Sequence, residues 1–257
     1  MKQRDGRKRG SARLGSRVEG GAETFQHPRN IVLVRHGETP ANAADRTGRF
    51  FGSAREIAKL GGKADHDLPL TAKGRQQSRA LGRLMRERWP FKRFLVCYDS
   101  GYERTMRTLD LILESFPKNR QDESTRRSHM DIRERDAGYV WTIPLRKGRK
   151  LFPWWEEYEK LVGPIYSRPP GGESIADAWL RVHMFLNSVR RSRAGQDVLV
   201  VTHGRIMMGF KYWMEKRPAR EVNQLYEESK GIANCEAWWY RRDSRRERYV
   251  LRGRLRP

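Results

Sequence analysis

The chain has 257 residues, enough for one complete α/β domain, and 37% of them are hydrophobic and can form a core. Its cysteines, Cys97 and Cys235, lie far apart and outside any CxxC pair, and no apolar stretch is long enough for a membrane span or secretory signal. We therefore expect no disulfide framework, zinc site or membrane segment and a cytoplasmic location, while the net charge of +23 predicts attraction to anions of any kind.

The first segment, residues 1–29, is rich in glycine, serine and arginine and has almost nothing to bury. Such a segment cannot offset its ordering entropy, so we predict a disordered basic tail. A mitochondrial transit peptide is the alternative, although the segment lacks an apolar helical stripe. Residues 30–257 are then expected to form a single domain.

Three short apolar runs predict strands that are buried on both faces of a sheet. They cover residues 31–34, 94–98 and 198–201. A polar residue follows each run closely: His36 after the first, Ser100 after the second and His203 after the third.

Helical periodicity separates these strands, over residues 77–89, 102–113 and 175–189. Buried strands alternating with helices predict an α/β fold with three layers, α/β/α, around a mostly parallel sheet. Ligands of such sheets bind beyond the carboxyl ends of the strands, so the three polar residues should meet at one crevice.

Two irregular segments are expected beside that crevice, because long loops in compact domains are often functional. Residues 47–67 show no clear period and predict a long loop. Residues 139–172 are rich in aromatic residues and prolines, and we interpret them as an insertion or lid around one helix at 154–161. Near the end of the chain, residues 237–253 predict a hairpin that turns around Asp243-Ser244. Residues 241–257 form an Arg-rich C-terminal segment.

His36 and His203 occur in the same local pattern, directly after an apolar run and one polar residue and directly before glycine. A single histidine in this pattern is more often structural. Two copies favour a pair of imidazoles at neighbouring strand ends, where glycine lets a ligand approach the backbone. His27 in the tail, His129 in a charged loop and His183 on a helix are interpreted as structural or surface residues.

The motifs around these histidines resemble those of the histidine phosphatase superfamily, the phosphoglycerate mutase-like enzymes. The matching elements occur in the family's order: Arg35-His36-Gly37-Glu38-Thr39; Asn42; Asp67-Leu68-Pro69-Leu70-Thr71 with Gly74 and Gln77; Ser100 with Arg104; Ile132-Arg133-Glu134-Arg135; Pro170-Gly171-Gly172-Glu173-Ser174; and Val200-Val201-Thr202-His203-Gly204. The resemblance implies a phosphoglycerate mutase-like fold and enzymatic phosphoryl transfer without a cofactor.

The resemblance also implies a role for each matching residue. His36 is the nucleophile that forms a covalent phosphohistidine. Glu134 is the acid that protonates the departing oxygen and, as a base, activates water. Phosphate binding is assigned to Arg35, Asn42, Arg104 and His203. Thr39 and Gly204, within the motifs, are candidates for substrate contact. His66 is a further candidate on its position alone, because it precedes the Leu70 motif near the crevice.

Two alternatives to these roles arise from the residues themselves. Without the family context, Glu134 could equally form a salt bridge with Arg133 or Arg135. A metal site built from His36, His203 and Glu134 is disfavoured, because the spacing differs from common metal motifs and neighbouring arginines would repel a cation. We therefore expect no metal.

Some positions depart from the family pattern. The loop between Asn42 and Asp67 is longer than usual, Thr105 replaces an alanine that often follows the phosphate-binding arginine, and Arg205 follows His203-Gly204. The span from Glu134 to His203 is shorter than in cofactor-dependent phosphoglycerate mutases, which favours hydrolysis.

The expected function is therefore hydrolysis of a small phosphomonoester. A mutase-type phosphotransferase is the alternative, and so is a polyanion- or nucleic-acid-binding protein on a phosphatase scaffold, with the basic tails as a weak polyanion tether. The aromatic and basic residues of the insertion could bind a nucleotide-like substrate, but an apolar mini-core with solvated charges is the favoured interpretation. The sequence does not predict an oligomeric state.

Overall fold

The structure, a computed structural model, describes residues 27–44, 46–47, 50–92, 94, 96–117 and 125–257. Most of the predicted basic tail, residues 1–26, lies outside these ranges. His27, Pro28 and Arg29, which the sequence analysis placed in the tail, contact the domain: the Gly195 amide donates to the His27 carbonyl at 2.8 Å. Within the described ranges, no helix is both long and apolar enough to cross a membrane.

A six-stranded mixed sheet forms the centre of the fold. Its strands are β1 (Asn30–Arg35), β4 (Val96–Asp99), β5 (Thr125–Ser128), β6 (Asp197–Thr202), β7 (Ala237–Asp243) and β8 (Arg248–Leu255), and a separate pair contains β2 (Arg46–Thr47) and β3 (Phe50–Phe51). The order is β5-β4-β6-β1-β7-β8, in which β5, β4, β6 and β1 run parallel. The antiparallel hairpin of β7 and β8 completes the sheet beside β1, which confirms the predicted C-terminal hairpin.

The helices cover both faces of this sheet. They are α1 (Pro40–Ala43), α2 (Ala54–Ala58), α3 (Ala72–Arg88), α4 (Glu103–Leu113), α5 (Leu145–Leu151), α6 (Pro153–Tyr166), α7 (Ile175–Ser192), α8 (Gly204–Met214) and α9 (Val222–Ser229). Successive residues of a strand point to opposite faces. Ile31 and Leu33 accordingly pack in one core cluster with α7, α8 and α9, whereas Val32 and Val34 pack in another with α3 and α4. The predicted three-layer α/β/α architecture is confirmed.

The two predicted irregular segments contain more regular structure than expected. Residues 47–67 include α2, which begins at the side-chain cap of Ser53, and a 3₁₀ turn at Asp65–Asp67. The insertion contains two helices, α5 and α6, in place of the single predicted helix. Gly163, with φ of 78°, interrupts α6 in a conformation that glycine adopts readily. Val140 and Trp155 form a small apolar core there, in line with the favoured interpretation.

Candidate active site

The two motif histidines meet at the carboxyl ends of β1 and β6. These strands are parallel neighbours with Arg35 opposite Thr202, and the His36 amide donates to the Thr202 carbonyl at 3.0 Å. Both side chains are buried, and their ring centroids lie 5.1 Å apart. The sheet register therefore brings together two imidazoles separated by more than half of the chain.

His36 is oriented by its own loop. Its Nδ1 lies 2.7 Å from the Gly37 carbonyl oxygen, which can only accept, so Nδ1 carries the proton and Nε2 keeps its lone pair. A Cβ on Gly37 would lie 2.5 Å from the Gly74 carbonyl oxygen, so this turn requires glycine. Burial, followed by the charges of Arg104 and Arg35, lowers the pKa of His36 well below its usual value, which keeps the ring neutral.

Arg35 and Arg104 supply positive charge beside this pair. Arg35 donates through Nη1 to the Ile232 carbonyl, and its buried Nε has no hydrogen-bond partner among the described residues. Arg104 is 4% exposed and is held by Asp65, whose backbone carbonyl and carboxylate both accept from it. An unpartnered buried donor is costly, and an anionic ligand would satisfy the one on Arg35.

Glu134 follows the 3₁₀ turn Met130–Ile132 and lines the cavity that also contains His36. Its carboxylate accepts from the Arg135 backbone amide at 2.9 Å. Arg133 pairs with Glu173 at 2.8 Å, and the described ion pairs include none between Glu134 and either neighbouring arginine. The described residues therefore do not form the contact that was the alternative for Glu134, a salt bridge to Arg133 or Arg135.

The cavity has a volume of about 460 Å³. The strand-end residues Arg35, His36, Arg104 and Glu134 form part of its wall, and the insertion adds Trp141, Trp155 and Ser167. Further charges come from Asp65, Arg135, Glu159, Arg205 and Lys230. The described wall thus carries five basic and three acidic side chains, together with the neutral imidazole of His36.

The remaining predicted site residues differ in position. Thr39 and Asn42 line the cavity, and the Asn42 side-chain oxygen accepts from the Thr39 amide at 3.2 Å and from Asn234 at 3.1 Å, which leaves its NH₂ group as a donor. His203 and Gly204 do not line the cavity, although His203 contacts the His36 ring and Gly204 begins α8 beside Arg35. His66, with a side chain 63% exposed, also lies outside the lining and pairs with Asp67.

The described residues contain no group of three or more histidine, cysteine, aspartate or glutamate side chains that could hold a metal ion.

Sequence comparison identifies the family. The sequence pattern of the histidine phosphatase superfamily, branch 1, matches residues 31–249. The chain belongs to this superfamily. It is 27% identical over 231 residues to a phosphoglycerate mutase-like protein of Arabidopsis thaliana, covering 81% of this chain and 72% of that protein. It is 32% identical over 189 residues to a 2,3-bisphosphoglycerate-dependent phosphoglycerate mutase of Rhizobium etli, covering 72% and 80%.

Solved structures of phosphatases share this superfamily fold. An α-ribazole phosphatase from Shigella flexneri has a TM-score of 0.64 at 19% identity and covers 87% of this chain and 94% of its own. A mycobacterial glucosyl-3-phosphoglycerate phosphatase in complex with inorganic phosphate has a TM-score of 0.61 at 18% identity and covers 88% and 96%. The predicted phosphoglycerate mutase-like fold is confirmed.

Sequence reasoning missed several residues that position the histidine phosphatase site. Asp65 holds Arg104, and Glu173 pairs with Arg133 next to Glu134. Thr105 was noted only as a departure from the family pattern, yet its hydroxyl lies 2.9 Å from that of Ser100, which contacts His203. Glu173 belonged to a recognised motif, but nothing in the sequence identified its partners.

Proposed function

We propose that this superfamily member hydrolyses small phosphomonoesters through a covalent phosphohistidine on His36. The hydrogen bond from Nδ1 to the Gly37 carbonyl is the main support, because it leaves the Nε2 lone pair available in a cavity with Arg35 and Arg104. A neutral imidazole next to two guanidinium groups is suited to attack an anionic phosphorus centre, since phosphoryl transfer depends chiefly on positioning and charge stabilisation.

The first step forms the bond between Nε2 of His36 and phosphorus and breaks the ester P–O bond. Arg35, Arg104 and the neighbouring His203 would stabilise charge on the transferring oxygens. Glu134, protonated at this stage, gives its proton to the departing alkoxide. The alcohol then leaves and the phosphoenzyme remains.

The second step reverses the role of the carboxylate. Glu134, now ionised, takes a proton from a water molecule whose oxygen attacks phosphorus. The P–N bond breaks, which returns neutral His36 and releases inorganic phosphate. Glu134 ends the cycle protonated, as it began.

Mutase-type phosphotransfer is the second candidate, and the names of the curated relatives at 27–32% identity support it. The two activities share the phosphohistidine and differ in the acceptor, which is water in one and an alcohol of the substrate in the other. The short span between Glu134 and His203 leads us to favour hydrolysis.

The test compares the wild type with His36→Ala on an aryl phosphate and a panel of alkyl phosphometabolites, with a chelator present. We expect turnover that resists the chelator, an acid-labile phosphoryl group on His36, and a loss of about 10³-fold or more in His36→Ala. His183→Gln is the matched control, because His183 packs against Trp213 at a ring-centroid distance of 4.3 Å and lines a different cavity.

Glu134→Gln tests the acid role separately. The aryl phosphate has a good leaving group that needs little protonation, so the kcat/KM of this variant, which reports the first step, should fall much more on alkyl than on aryl substrates. Full activity of His36→Ala or chelator-sensitive turnover would contradict the proposal. Transfer of the phosphoryl group to a phosphoglycerate in preference to water would select the mutase.

A further inference from the structure

A chain of three hydrogen bonds leads away from the buried ring of His203. Its Nε2 lies 2.9 Å from Ser100 Oγ, which lies 2.9 Å from Thr105 Oγ1, which lies 2.8 Å from the Tyr102 carbonyl oxygen. Thr105 and His203 are fully buried and Ser100 is 4% exposed, so solvent does not supply alternative partners. The first turn of α4 is thereby joined to the residue that precedes α8.

The positions of the protons in this chain follow from its far end. The Tyr102 carbonyl oxygen can only accept, so the contact at 2.8 Å requires the Thr105 proton; without it, two lone pairs would face each other. Because the single hydroxyl proton of Thr105 is donated to this carbonyl, the hydrogen bond between the two hydroxyl groups must use the proton of Ser100. The contact from Ser100 to His203 then requires a proton on Nε2 of the imidazole.

This assignment leaves Nδ1 of neutral His203 without a proton. Nδ1 is buried and has no hydrogen-bond partner in the described part of the chain. In the proposed function His203 contacts the phosphoryl group, and because Nε2 is engaged by Ser100, that contact has to be made through Nδ1. As a bare lone pair, however, it would repel that oxygen.

We propose that Thr105 is a positioning residue for His203: acting through Ser100, it holds one proton on Nε2, so that Nδ1 takes up a second proton when a phosphoryl dianion binds. The inference rests on the proposed function, in which His203 contacts the phosphoryl group. Solvent supplies the proton, which forms the N–H that faces the ligand, and the proton returns to solvent when phosphate leaves.

The charges around His203 explain why the second proton arrives only with the ligand. Burial comes first, followed by Arg104, His36, Arg35 and Arg181, and together they lower the pKa of His203 well below its usual value. The Tyr102 ring, at a centroid distance of 5.1 Å, adds no charge. A phosphoryl dianion offsets the charge of the three arginines and favours the imidazolium.

The resting enzyme tests the tautomer directly. In a ¹⁵N-detected histidine spectrum of the ligand-free wild type, assigned with His203→Gln, we expect His203 to carry its proton on Nε2. A proton on Nδ1 would overturn the proposal. This measurement needs no turnover, so it succeeds or fails independently of the phosphatase activity.

Thr105→Val and Thr105→Ser form the matched pair of variants. Valine keeps the volume but removes the acceptor, so the Ser100 hydroxyl becomes free to donate to Nε2 and His203 shifts towards the Nδ1–H tautomer. Serine keeps the hydroxyl and should restore the wild-type spectrum. If valine prevents folding, Thr105→Ala gives the same test.

Calorimetry with inorganic phosphate in buffers of different ionisation enthalpy provides the second readout. At about pH 8, where phosphate is largely dianionic, we expect the wild type to take up about one proton per ligand bound and Thr105→Val to take up close to none. Phosphate affinity should correspondingly fall about tenfold per pH unit above this pH in the wild type, and much less in the variant. Equal proton uptake by the wild type and Thr105→Val would overturn the role of Thr105. If phosphate fails to bind the wild type at all, that result would contradict the proposed function itself.

Discussion

Arg104 is engaged with Asp65 before any ligand arrives. The guanidinium donates to the backbone carbonyl of Asp65 and pairs with its carboxylate at 3.2 Å, and Arg104 is almost fully buried. A guanidinium has five N–H groups, so a phosphoryl group can still bind the remaining ones. Asp65 therefore does two things at once: it orients Arg104 and places a negative charge beside the phosphate position.

We predict that Asp65→Asn binds inorganic phosphate more tightly. The amide keeps the shape of the side chain while removing one negative charge, so phosphate inhibition should strengthen and KM should fall, both by about three- to tenfold. Inhibition constants and KM for an alkyl phosphate are the measurements. Asp67→Asn is the control, because that side chain is 64% exposed and lies two residues away. Weaker phosphate binding in Asp65→Asn would show that orientation of Arg104 outweighs the charge.

The histidines could be predicted from the sequence and their supporting residues could not, for a physical reason. An apolar run followed by His-Gly specifies a buried strand end locally, and this applies to both His36 and His203. The contact from Ser100 to His203 joins residues 103 positions apart and depends on the pairing of β4 with β6. The contact of Asp65 with Arg104 depends on how the loop before α3 folds over α4. The sequence of that loop has no periodic signal, so this contact could not be predicted.

At the scale of elements, Glu173 connects two parts of the fold. One is the loop that carries Glu134, and the other is helix α7. Its carboxylate accepts from Arg133 at 2.8 Å, from Arg181 at 2.8 and 2.9 Å, and from the Asp136 amide at 3.0 Å. Burial raises the pKa of Glu173, but the hydrogen bonds from Arg181 and the Asp136 amide outweigh it, so the net pKa lies below its usual value. The ionised carboxylate thus fixes both ends of the segment around Glu134.

We predict that Glu173→Gln lowers kcat about 10- to 100-fold on an alkyl phosphate with a smaller effect on KM. The loss of charge leaves Arg133 and Arg181 without compensation, so the loop that positions Glu134 loosens. The free energy of unfolding in urea should also fall by about 2–4 kcal/mol.

Glu114→Gln is the control for this element. Glu114 also pairs with an arginine, Arg79 at 3.0 Å, but the pair is about half exposed and should contribute at most about 1 kcal/mol. A Glu173→Gln enzyme with wild-type kcat would show that the loop holds Glu134 without this carboxylate.

The elements that the sequence predicted well are those with a strong period or a turn signal. The apolar runs of β1 and β6, the helices α3, α4 and α7 and the C-terminal hairpin belong to this group. Helix α2 was missed because it has only five residues, none of them buried, so it shows no apolar stripe. Helix α5 of the insertion was missed because four of its seven residues are basic and only Gly148 is buried, so it also shows no apolar stripe.

At the scale of the whole molecule, three histidines that are neutral in the folded state make stability depend on pH. Burial and Arg242 lower the pKa of His27 to about 4, and His36 and His203 are lowered well below 6.5. In the unfolded chain the same residues bind protons near pH 6.5, so the unfolded state binds more protons than the folded state below that pH. The folded state is therefore destabilised as pH falls.

We predict that the free energy of unfolding is nearly constant from about pH 8 to 7 and decreases progressively below about pH 6.5. Urea unfolding at a series of pH values measures it. His27→Gln removes one of the three groups without touching the active site, so its curve should be less steep between about pH 6.5 and 4. A wild-type stability that is flat down to pH 5 would mean that the histidines are protonated in the folded protein.

The net charge of +23 is distributed unevenly between the tail and the domain. Residues 1–26 contain seven basic and three acidic side chains, so most of the excess positive charge lies on residues 27–257.

If the tail tethers the enzyme to a polyanion, its cations should release counterions on binding, each contributing up to about 0.9 to the slope of log affinity against log salt on a duplex. We predict that deletion of residues 1–26 lowers this slope by several units and leaves kcat and KM for a small phosphate ester unchanged. Binding of labelled DNA at a series of salt concentrations measures the slope. Deletion at residue 26 retains the ion pair of Arg29 with Asp197 at 3.1 Å, so a change in the slope cannot be attributed to loss of that contact. An unchanged slope would assign the polyanion affinity to the basic surface of the domain and eliminate the tether.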